Sequence, residues 1–310
     1  MRAVHLPLPL LLLAASAAAA QPAELPPHTA TWAVLACTSR YWFNYRHVAN
    51  TLAVYRAVKR LGVPDDRILL FLADDMACNP RNSKPGCVHT SKEKGDLYGG
   101  DVEVDFRGSE VTADNLLRAL TGRQGDDVPR NRRLLTDGGA NVLFYLTGHG
   151  GDNFLKFQDH HEFQSADIGD AMHQMATQQR FRQMLFIAET CQASTLFEQI
   201  RSENVLAIAS SGRGESSYSH LIDHDLGLFT VDRFTYHLEK FLDGRVPTAA
   251  SNATMADLTN AFTFDMLGSH LVVDTRNFKQ PLASVPVTDF FAGVMRAVDD
   301  EGPVPLPNWS

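Results

Sequence analysis

A strand that runs straight into a glycine-rich turn is encoded by residues 143–151, Leu-Phe-Tyr-Leu-Thr-Gly-His-Gly-Gly, and the turn presents a single histidine, His149. Residues 185–193, Leu-Phe-Ile-Ala-Glu-Thr-Cys-Gln-Ala, repeat this arrangement with a single cysteine, Cys191. Apolar runs this continuous are typical of parallel strands that are covered on both faces. Because functional groups in open α/β sheets gather at the carboxyl ends of neighbouring strands, we expect both side chains to share one sheet edge.

A thiol and an imidazole brought together at a sheet edge have the chemistry of an acyl-transfer site. The imidazole raises the thiolate fraction of the cysteine and later shuttles the proton. The glycines around His149 allow backbone amides to approach a carbonyl under attack, so the N–H groups of Gly150 and Cys191 are predicted to form an oxyanion hole. A single buried cysteine is more often a packing residue, and the pairing of the two motifs is what favours catalysis.

Apolar runs of strand length alternate with helical patterns along the chain. Strands are predicted at residues 32–37, 68–72, 142–146, 184–188 and 205–209, and helices at about 48–61, 112–120 and 166–175. This order predicts a three-layer α/β/α sandwich with a mostly parallel central sheet. Residues 79–100 are rich in Pro, Gly, Lys and Ser, which predicts a long surface loop.

The amino terminus predicts the compartment. Residues 1–20 combine a basic start, a leucine run and a small-residue end, which is typical of a secretory signal peptide that is removed. A short linker (21–30), a catalytic domain (31–244) and a C-terminal extension (245–310) are expected to follow, without a membrane-spanning helix. Asn252 and Asn308 begin Asn-x-Ser/Thr patterns, which accept glycans only in a secretory lumen.

Charge and composition exclude several classes of protein. The 310 residues include 36 acidic and 28 basic ones, and the formal net charge of −8 argues against a nucleic-acid partner. A composition of 44% hydrophobic and 21% charged residues excludes a disordered or collagen-like chain.

Six phrases carry a family resemblance that spans nearly all of residues 31–291. They are residues 37–50 (Cys-Thr-Ser-Arg-Tyr-Trp-Phe-Asn-Tyr-Arg-His-Val-Ala-Asn), 72–81, 100–105, 147–151, 154–159 and 288–291. The chain resembles the caspase-like cysteine peptidases of the legumain clan, and among them the catalytic subunits of glycosylphosphatidylinositol (GPI) transamidases. The resemblance implies a caspase-like fold and an enzyme of the endoplasmic reticulum lumen that associates with the membrane through other subunits of a complex.

The resemblance also implies the reaction and the roles of its residues. Such an enzyme cuts a carboxy-terminal signal from a precursor protein and passes the acyl group to the ethanolamine amine of a GPI lipid. Cys191 would be the nucleophile, His149 the general base and Asn44 the residue that orients the imidazole. The pocket for the residue before the cut would be formed by Arg46, His47, Glu189 and Ser216. No organic cofactor is expected.

A calcium site is a second implication of the resemblance. Glu103 and Asp105 are two positions apart on an extended run and so point to the same face, an arrangement that is costly without a cation. Calcium prefers such oxygen ligands, although the spacing alone favours a solvated acidic loop. The resemblance implies a site formed by Asp65, Glu103, Asp105 and the backbone carbonyl of Ile68.

The cysteines outside the reactive pair allow two alternative disulfides. An oxidising lumen permits a disulfide between Cys78 and Cys87, whereas the resemblance implies that Cys78 is linked to another subunit. Cys37, at a strand end, is expected to be buried packing.

Two departures from the family pattern bear on the assignment. Glu189 stands where these transamidase subunits have Asp and legumains have Glu, and the carboxy-terminal membrane helix of several relatives is not found. The alternatives are a soluble legumain-like asparaginyl endopeptidase, in which water is the acceptor, and a catalytically silent subunit that only binds partners. The presence of both His149 and Cys191 argues against the silent subunit, since a scaffold does not need an activated thiol.

Overall fold

The structure, a computed structural model, describes residues 25–294. The predicted signal peptide and the Asn308 glycosylation pattern lie outside the described residues. Within them the strands are β1 (Ala30–Cys37), β2 (Ile68–Leu72), β3 (Phe106–Arg107), β4 (Ala140–Thr147), β5 (Gly150–Gly151), β6 (Phe154–Phe157), β7 (His161–Gln164), β8 (Gln183–Glu189), β9 (Val205–Ala209), β10 (Ser219–Asp223), β11 (Leu228–Asp232) and β12 (Val272–Asp274).

The α-helices are α1 (Tyr45–Arg60), α2 (Ala113–Thr121), α3 (Ser165–Thr177), α4 (Arg233–Arg245), α5 (Met255–Asn260), α6 (Phe264–Leu267) and α7 (Thr288–Phe291). Short 3-10 helices occupy Trp42–Asn44, Asp65–Arg67, Gly108–Glu110, Arg130–Arg132, Ala193–Phe197 and Leu282–Ser284. No helix between residues 25 and 294 is both long enough and apolar enough to cross a bilayer.

The central sheet has seven strands in the order β12-β9-β8-β4-β1-β2-β3. Every neighbouring pair is parallel except β12, which runs antiparallel to β9. The five predicted strands are all in this sheet, and two of them, residues 68–72 and 205–209, have the predicted bounds. Because β4 and β8 are adjacent, the two chemistry-bearing turns emerge at the same edge of the sheet.

Both faces of the sheet are covered, which explains the continuous apolar runs. Alternate residues of β1 enter two separate cores: Leu35 packs with α1 and α4, whereas Val34 packs with α2 and α3. Helices therefore form a layer on each side of the sheet, as expected for parallel strands. The predicted three-layer α/β/α sandwich with a mostly parallel sheet is confirmed.

Local signals placed the helix ends. The hydroxyl of Thr112 accepts a hydrogen bond from the backbone N–H of Asn115, so it caps the start of α2. Helix α1 ends before Gly62, whose φ of 89° is a conformation that glycine adopts without strain. The sequence therefore contained the start of α2 and the end of α1, whereas α1 begins at Tyr45, three residues before its predicted start.

Several elements were not predicted. The residues after 244 contribute β12 to the central sheet and Phe290 and Phe291 to the core. Residues 79–100 form no helix or strand, as predicted, but Val88 and Leu97 within them are buried. The loop is also held by the N–H of His89, which donates to the Tyr45 hydroxyl over 2.8 Å. This segment is thus packed against the core along part of its length.

Candidate active site

His149 lies in the turn that joins β4 to β5, at the carboxyl edge of the sheet. A side chain on Gly148 would clash with the hydroxyl of Thr38, and one on Gly150 would clash with the hydroxyl of Thr190. Both positions therefore require the small profile of glycine, because neighbouring groups approach the backbone closely. The turn leaves the imidazole of His149 half-buried at the sheet edge.

Asn44 orients the imidazole. The Oδ1 atom of Asn44 lies 2.8 Å from Nε2 of His149, and its Nδ2 group donates to the carbonyl oxygen of Arg40 over 2.7 Å. Since the amide nitrogen is the donor toward Arg40, Oδ1 is the atom that accepts the proton on Nε2. This tautomer leaves Nδ1 as the basic nitrogen. Burial, and then the charge of Arg46, lower the pKa of His149 below 6.5, so the ring is neutral and able to accept a proton near pH 7.

Cys191 occupies the corresponding place after β8. Thr147 of β4 lies opposite Glu189 of β8, so His149 and Cys191 each stand two residues beyond a paired strand end. The next residue, Gln192, has a left-handed φ of 54°, and this bend turns the chain away from the sheet immediately after the half-buried thiol. Among the described residues, no hydrogen bond joins the thiol to the imidazole. Such contacts often form only once substrate is bound.

The predicted oxyanion donors also lie at this edge. Gly150 begins β5 and is paired with Leu155 of β6, while Cys191 directly follows β8. Both backbone positions therefore adjoin the two reactive side chains. The assignment of their N–H groups to an oxyanion hole remains a prediction.

A cluster of polar side chains around Asp232 lies next to His149. The guanidinium of Arg46 donates to Asp232 Oδ1 over 2.9 Å, and the amide of Asn50 donates to Oδ2 over 2.7 Å. His47 Nε2 is 3.6 Å from the same Oδ2, and its ring packs edge-on against His149 with centroids 5.0 Å apart. Burial and the charge of Arg46 lower the pKa of His47 well below 6.5, so it is neutral.

Glu189 is buried behind this cluster. The Tyr145 hydroxyl donates to its Oε2 over 2.5 Å, the backbone N–H of Thr235 donates to Oε1 over 3.0 Å, and the Thr235 hydroxyl also donates to Oε2. Burial, followed by repulsion from Asp232, raises the pKa of Glu189 to about 8 despite these donors. Its carboxyl group therefore supports the pocket from behind, where its oxygens are already engaged.

The predicted pocket residues are thus only partly gathered. Arg46 and His47 converge on Asp232, Glu189 lies behind them, and Ser216 is exposed on the loop between β9 and β10. Asp232 was missed from the sequence, where it is a lone acid at the end of an unpredicted strand. Its partner Arg46 is 186 positions away, and only the fold brings the two together.

The predicted calcium ligands lie near the start of β2 and before β3. Asp65 stands just before β2, Ile68 is its first residue, and Asp105 directly precedes β3. Asp105 is tied to β2 in both directions, because Leu70 N–H donates to its carboxylate over 2.9 Å and the N–H of Asp105 donates to the Leu70 carbonyl. Burial, and smaller contributions from Glu103 and Asp65, raise the pKa of Asp105 to about 7.

Other groups currently satisfy part of this acidic set. The Tyr55 hydroxyl donates to Asp65 Oδ1 over 2.6 Å and lies 3.4 Å from the N–H of Glu103, and the ammonium of Lys59 also contacts Asp65. In the described part of the chain, no three His, Cys, Asp or Glu side chains are close enough to hold a metal by themselves. The donors suit calcium in kind, but Asp65 is paired with Lys59.

The remaining predicted sites are the cysteines outside the reactive pair and one glycosylation position. All four cysteines are free in the structure: Cys78 is exposed, Cys87 half-buried and Cys37 buried. Burial raises the pKa of Cys37 to about 12, in keeping with a packing role. Asn252 is exposed on the segment before α5 and is open to modification.

A family model and named relatives identify the family of this chain. Residues 31–263 match the peptidase C13 family. The chain is 47% identical over 306 residues to the GPI-anchor transamidase of Saccharomyces cerevisiae, covering 96% of this chain and 74% of that protein. It is 49% identical over 275 residues to the GPI-anchor transamidase of Homo sapiens, covering 87% of this chain and 68% of that protein. The crystal structure of Caspase-1 from Spodoptera frugiperda superposes with a TM-score of 0.44 at 11% identity, covering 77% of each chain.

Proposed function

The chain belongs to the peptidase C13 family, and from this membership and the geometry of its site we propose that it is the catalytic chain of a GPI-anchor transamidase. The relatives that carry this name are 47% and 49% identical to it over most of its length. The observation that carries the mechanism is the hydrogen bond between Asn44 and His149. His149 follows the end of β4, and Cys191 follows the end of the neighbouring strand β8. This arrangement supports a Cys-His acyl transfer.

The first half of the reaction forms a thioester. His149 Nδ1 takes the proton of Cys191, and the sulfur attacks the carbonyl of the residue before the cut. The oxyanion is stabilised by the N–H groups of Gly150 and Cys191. Collapse of this intermediate breaks the C–N bond, and His149 returns its proton to the departing amine. Asn44 keeps the imidazole in the required tautomer throughout.

The second half transfers the acyl group. The ethanolamine amine of a GPI lipid gives a proton to His149 and attacks the thioester carbon, which forms an amide and returns the thiol to Cys191. Water in place of the amine would give hydrolysis, so the chemistry of the two residues does not select the acceptor. Exclusion of water and placement of the amine must make that selection.

The pocket around Asp232 supports recognition of the residue before the cut. Arg46 supplies hydrogen-bond donors and Asp232 supplies acceptors, and both side chains are largely withdrawn from water. A buried pocket with both kinds of group favours a small polar side chain that can satisfy them. Glu189 would fix the shape of this pocket through Tyr145 and Thr235.

A structural calcium ion is part of the proposal. Asp65, Glu103, Asp105 and the Ile68 carbonyl would hold it, and their oxygen atoms are the donors that calcium prefers. The buried position of Asp105 beside two further acids supports a requirement for positive charge there. The ion would brace the junction of β2 and β3, away from the reacting atoms.

The cellular setting follows from the proposed activity. We place the chain in the endoplasmic reticulum lumen, within a complex whose other subunits hold it at the membrane. An exposed Cys78 is available for a disulfide to one of them, and an exposed Asn252 is available for a glycan. The substrates would be precursor proteins with a carboxy-terminal signal and the GPI lipid.

The identity of the acyl acceptor distinguishes a transamidase from an endopeptidase. A complex that contains the full chain is incubated with a precursor peptide and hydrazine, and the products are identified by mass spectrometry. A hydrazide at the cleavage site is expected, and Cys191→Ala is the control for background chemistry. Free acid as the sole product would instead support a legumain-like hydrolase.

A further inference from the structure

Two exposed aromatic side chains, Tyr41 and Phe43, lie beside the catalytic histidine and are here called the aromatic shelf. Tyr41 is 51% exposed and Phe43 is 61% exposed. Their rings are stacked with centroids 6.1 Å apart and an interplanar angle of 10°. Phe43 also stacks on His149, with centroids 6.5 Å apart and an angle of 30°. Neighbouring exposed aromatic groups at a site edge are a typical sign of a binding surface.

The shelf is held in place although it faces solvent. Tyr41 has a φ of 73°, which is unfavourable for a residue with a large side chain. Its backbone N–H donates to Asp74 Oδ2 over 2.6 Å, and this bond holds the strained residue. The next residue, Trp42, packs edge-on against Tyr45 with centroids 5.4 Å apart. Strain that is kept at a reactive site marks a preorganised surface, which loses less entropy when a ligand binds.

A cleft of about 430 Å³ runs along the shelf and has both apolar and polar walls. Its lining is Tyr41, Trp42, Phe43, Asp74, Asn79 and Arg81. The aromatic rings offer flat apolar contact, while the amide and charged groups offer donors and acceptors. A peptide in extended form presents both kinds of surface, so the chemistry of the cleft fits a peptide segment.

The position of the shelf relative to His149 identifies which segment of a substrate peptide it would bind. The amine that leaves during thioester formation takes its proton from His149, so it must lie within hydrogen-bonding reach of that ring. Phe43 covers the region beside the same ring, whereas Arg46 and Asp232 form the pocket proposed for the residue before the cut. Building on the proposed function, we propose that the aromatic shelf binds the peptide segment that follows the scissile bond.

This role predicts a kinetic pattern that a structural role would not produce. The segment after the cut is present only until the thioester forms, so the shelf contributes to acylation and not to the later transfer. A methyl ester with the same acyl part has almost nothing to place on the shelf. Removal of a shelf side chain should therefore lower kcat/KM for the peptide and leave kcat/KM for the ester unchanged.

The test compares the two substrates in a purified complex that contains the full chain. Tyr41→Ala leaves Phe43 against His149 and is expected to lower kcat/KM for the peptide about tenfold, with the methyl ester unchanged. Phe43→Tyr should retain peptide activity, and Phe43→Ala should lose it. Leu135→Ala is the matched control, because Leu135 is 40% exposed and precedes β4 at the opposite edge of the sheet.

A binding measurement tests the shelf without turnover. The labelled leaving segment is titrated into a complex that carries Cys191→Ala, and Tyr41→Ala should weaken its affinity about tenfold by fluorescence anisotropy. The proposal would be overturned if Tyr41→Ala left the affinity unchanged or lowered kcat/KM equally for both substrates. Loss of other subunits from the Tyr41→Ala complex would overturn it as well. If the wild-type complex processed neither substrate, the proposed function would fail, while the affinity would still decide the role of the shelf.

Discussion

The Nε2 atom of His149 lies 2.8 Å from Oδ1 of Asn44, although 105 positions separate the two residues in the chain. Because the same amide donates to the Arg40 carbonyl, its orientation is defined, and so is the tautomer of the imidazole. The Asn44 side chain thus determines which nitrogen of His149 is free to accept a proton. Several expected outcomes rest on this and on the other contacts described above.

Asn44→Ala should lower kcat by about 10- to 100-fold with little change in KM, because His149 loses the acceptor that fixes its tautomer. Asn44→Asp restores an acceptor and adds a negative charge, which should raise the pKa of His149 and move the acidic limb of the rate profile to higher pH. Steady-state kinetics between pH 5 and 8 measure both effects. Full activity in Asn44→Ala would contradict the orienting role.

Cys191→Ala and His149→Ala should each reduce anchor transfer by at least about 10⁴-fold, because neither a thioester nor proton transfer remains possible. Both side chains are only half-buried, so the melting temperature should stay within about 2 °C of wild type. Product formation and thermal unfolding are measured on the same samples. Substantial activity in either variant would remove the catalytic assignment.

Glu189→Gln should flatten the dependence of stability on pH. The pKa of Glu189 is about 8 in the folded protein against an ordinary value of 4.5, so the folded state holds a proton that the unfolded state releases. Stability contributed by this proton is present at low pH and is lost as the pH rises from about 4.5 to about 8.

Melting temperatures at pH 6.0 and 8.5 measure that loss. Wild type should lose several degrees more than Glu189→Gln over this interval, since 1 kcal/mol corresponds to about 2–4 °C for a domain of this size. Tyr145→Phe serves as the control, because it removes one donor to Glu189 and keeps the carboxyl group. Parallel curves for wild type and Glu189→Gln would show that Glu189 does not titrate in this range.

Calcium should raise the melting temperature of the chelator-treated protein by at least about 2 °C, because an ion that binds only the folded state stabilises it. Asp105→Asn should abolish this response. Asp66→Asn is the matched control, since Asp66 is exposed and adjacent to the proposed ligand Asp65. Differential scanning calorimetry with calcium or magnesium measures this shift. The assignment would be wrong if magnesium raised the melting temperature as much as calcium, or if calcium still raised that of Asp105→Asn.

Cys78→Ser should eliminate any species that joins this chain to a larger subunit and disappears on reduction, because Cys78 is exposed and able to reach a partner. Cys87→Ser is the comparison, since Cys87 is half-buried and should leave the linked species intact. Gel electrophoresis with and without reductant distinguishes them. If no linked species forms in wild type, an internal bridge between the two cysteines becomes the better explanation.

The strands that carry His149 and Cys191 could be predicted because a parallel strand buried on both faces must be apolar throughout. The turn at Gly148 and Gly150 was visible for a similar local reason, since close backbone approach requires glycine. By contrast, β12 has only three residues and is only partly buried, and the two-residue β3 is recognisable only through its pairing with β2. Such short elements are formed by their neighbours more than by their own composition.

The amino-acid sequence by itself determined the sandwich architecture and the family, and it predicted the pair of His149 and Cys191, because apolar periodicity, glycine placement and motif spacing are local properties. Only the tertiary structure decided that Asp232 meets Arg46, that Glu189 is buried behind the pocket, and that Phe43 stacks on His149. Asp232 and Arg46 are brought together across 186 positions by the packing of α1 against β11, and no local pattern encodes a contact of that range. Local sequence sets what each segment can form, whereas the environment of each side chain depends on which distant segments pack against it.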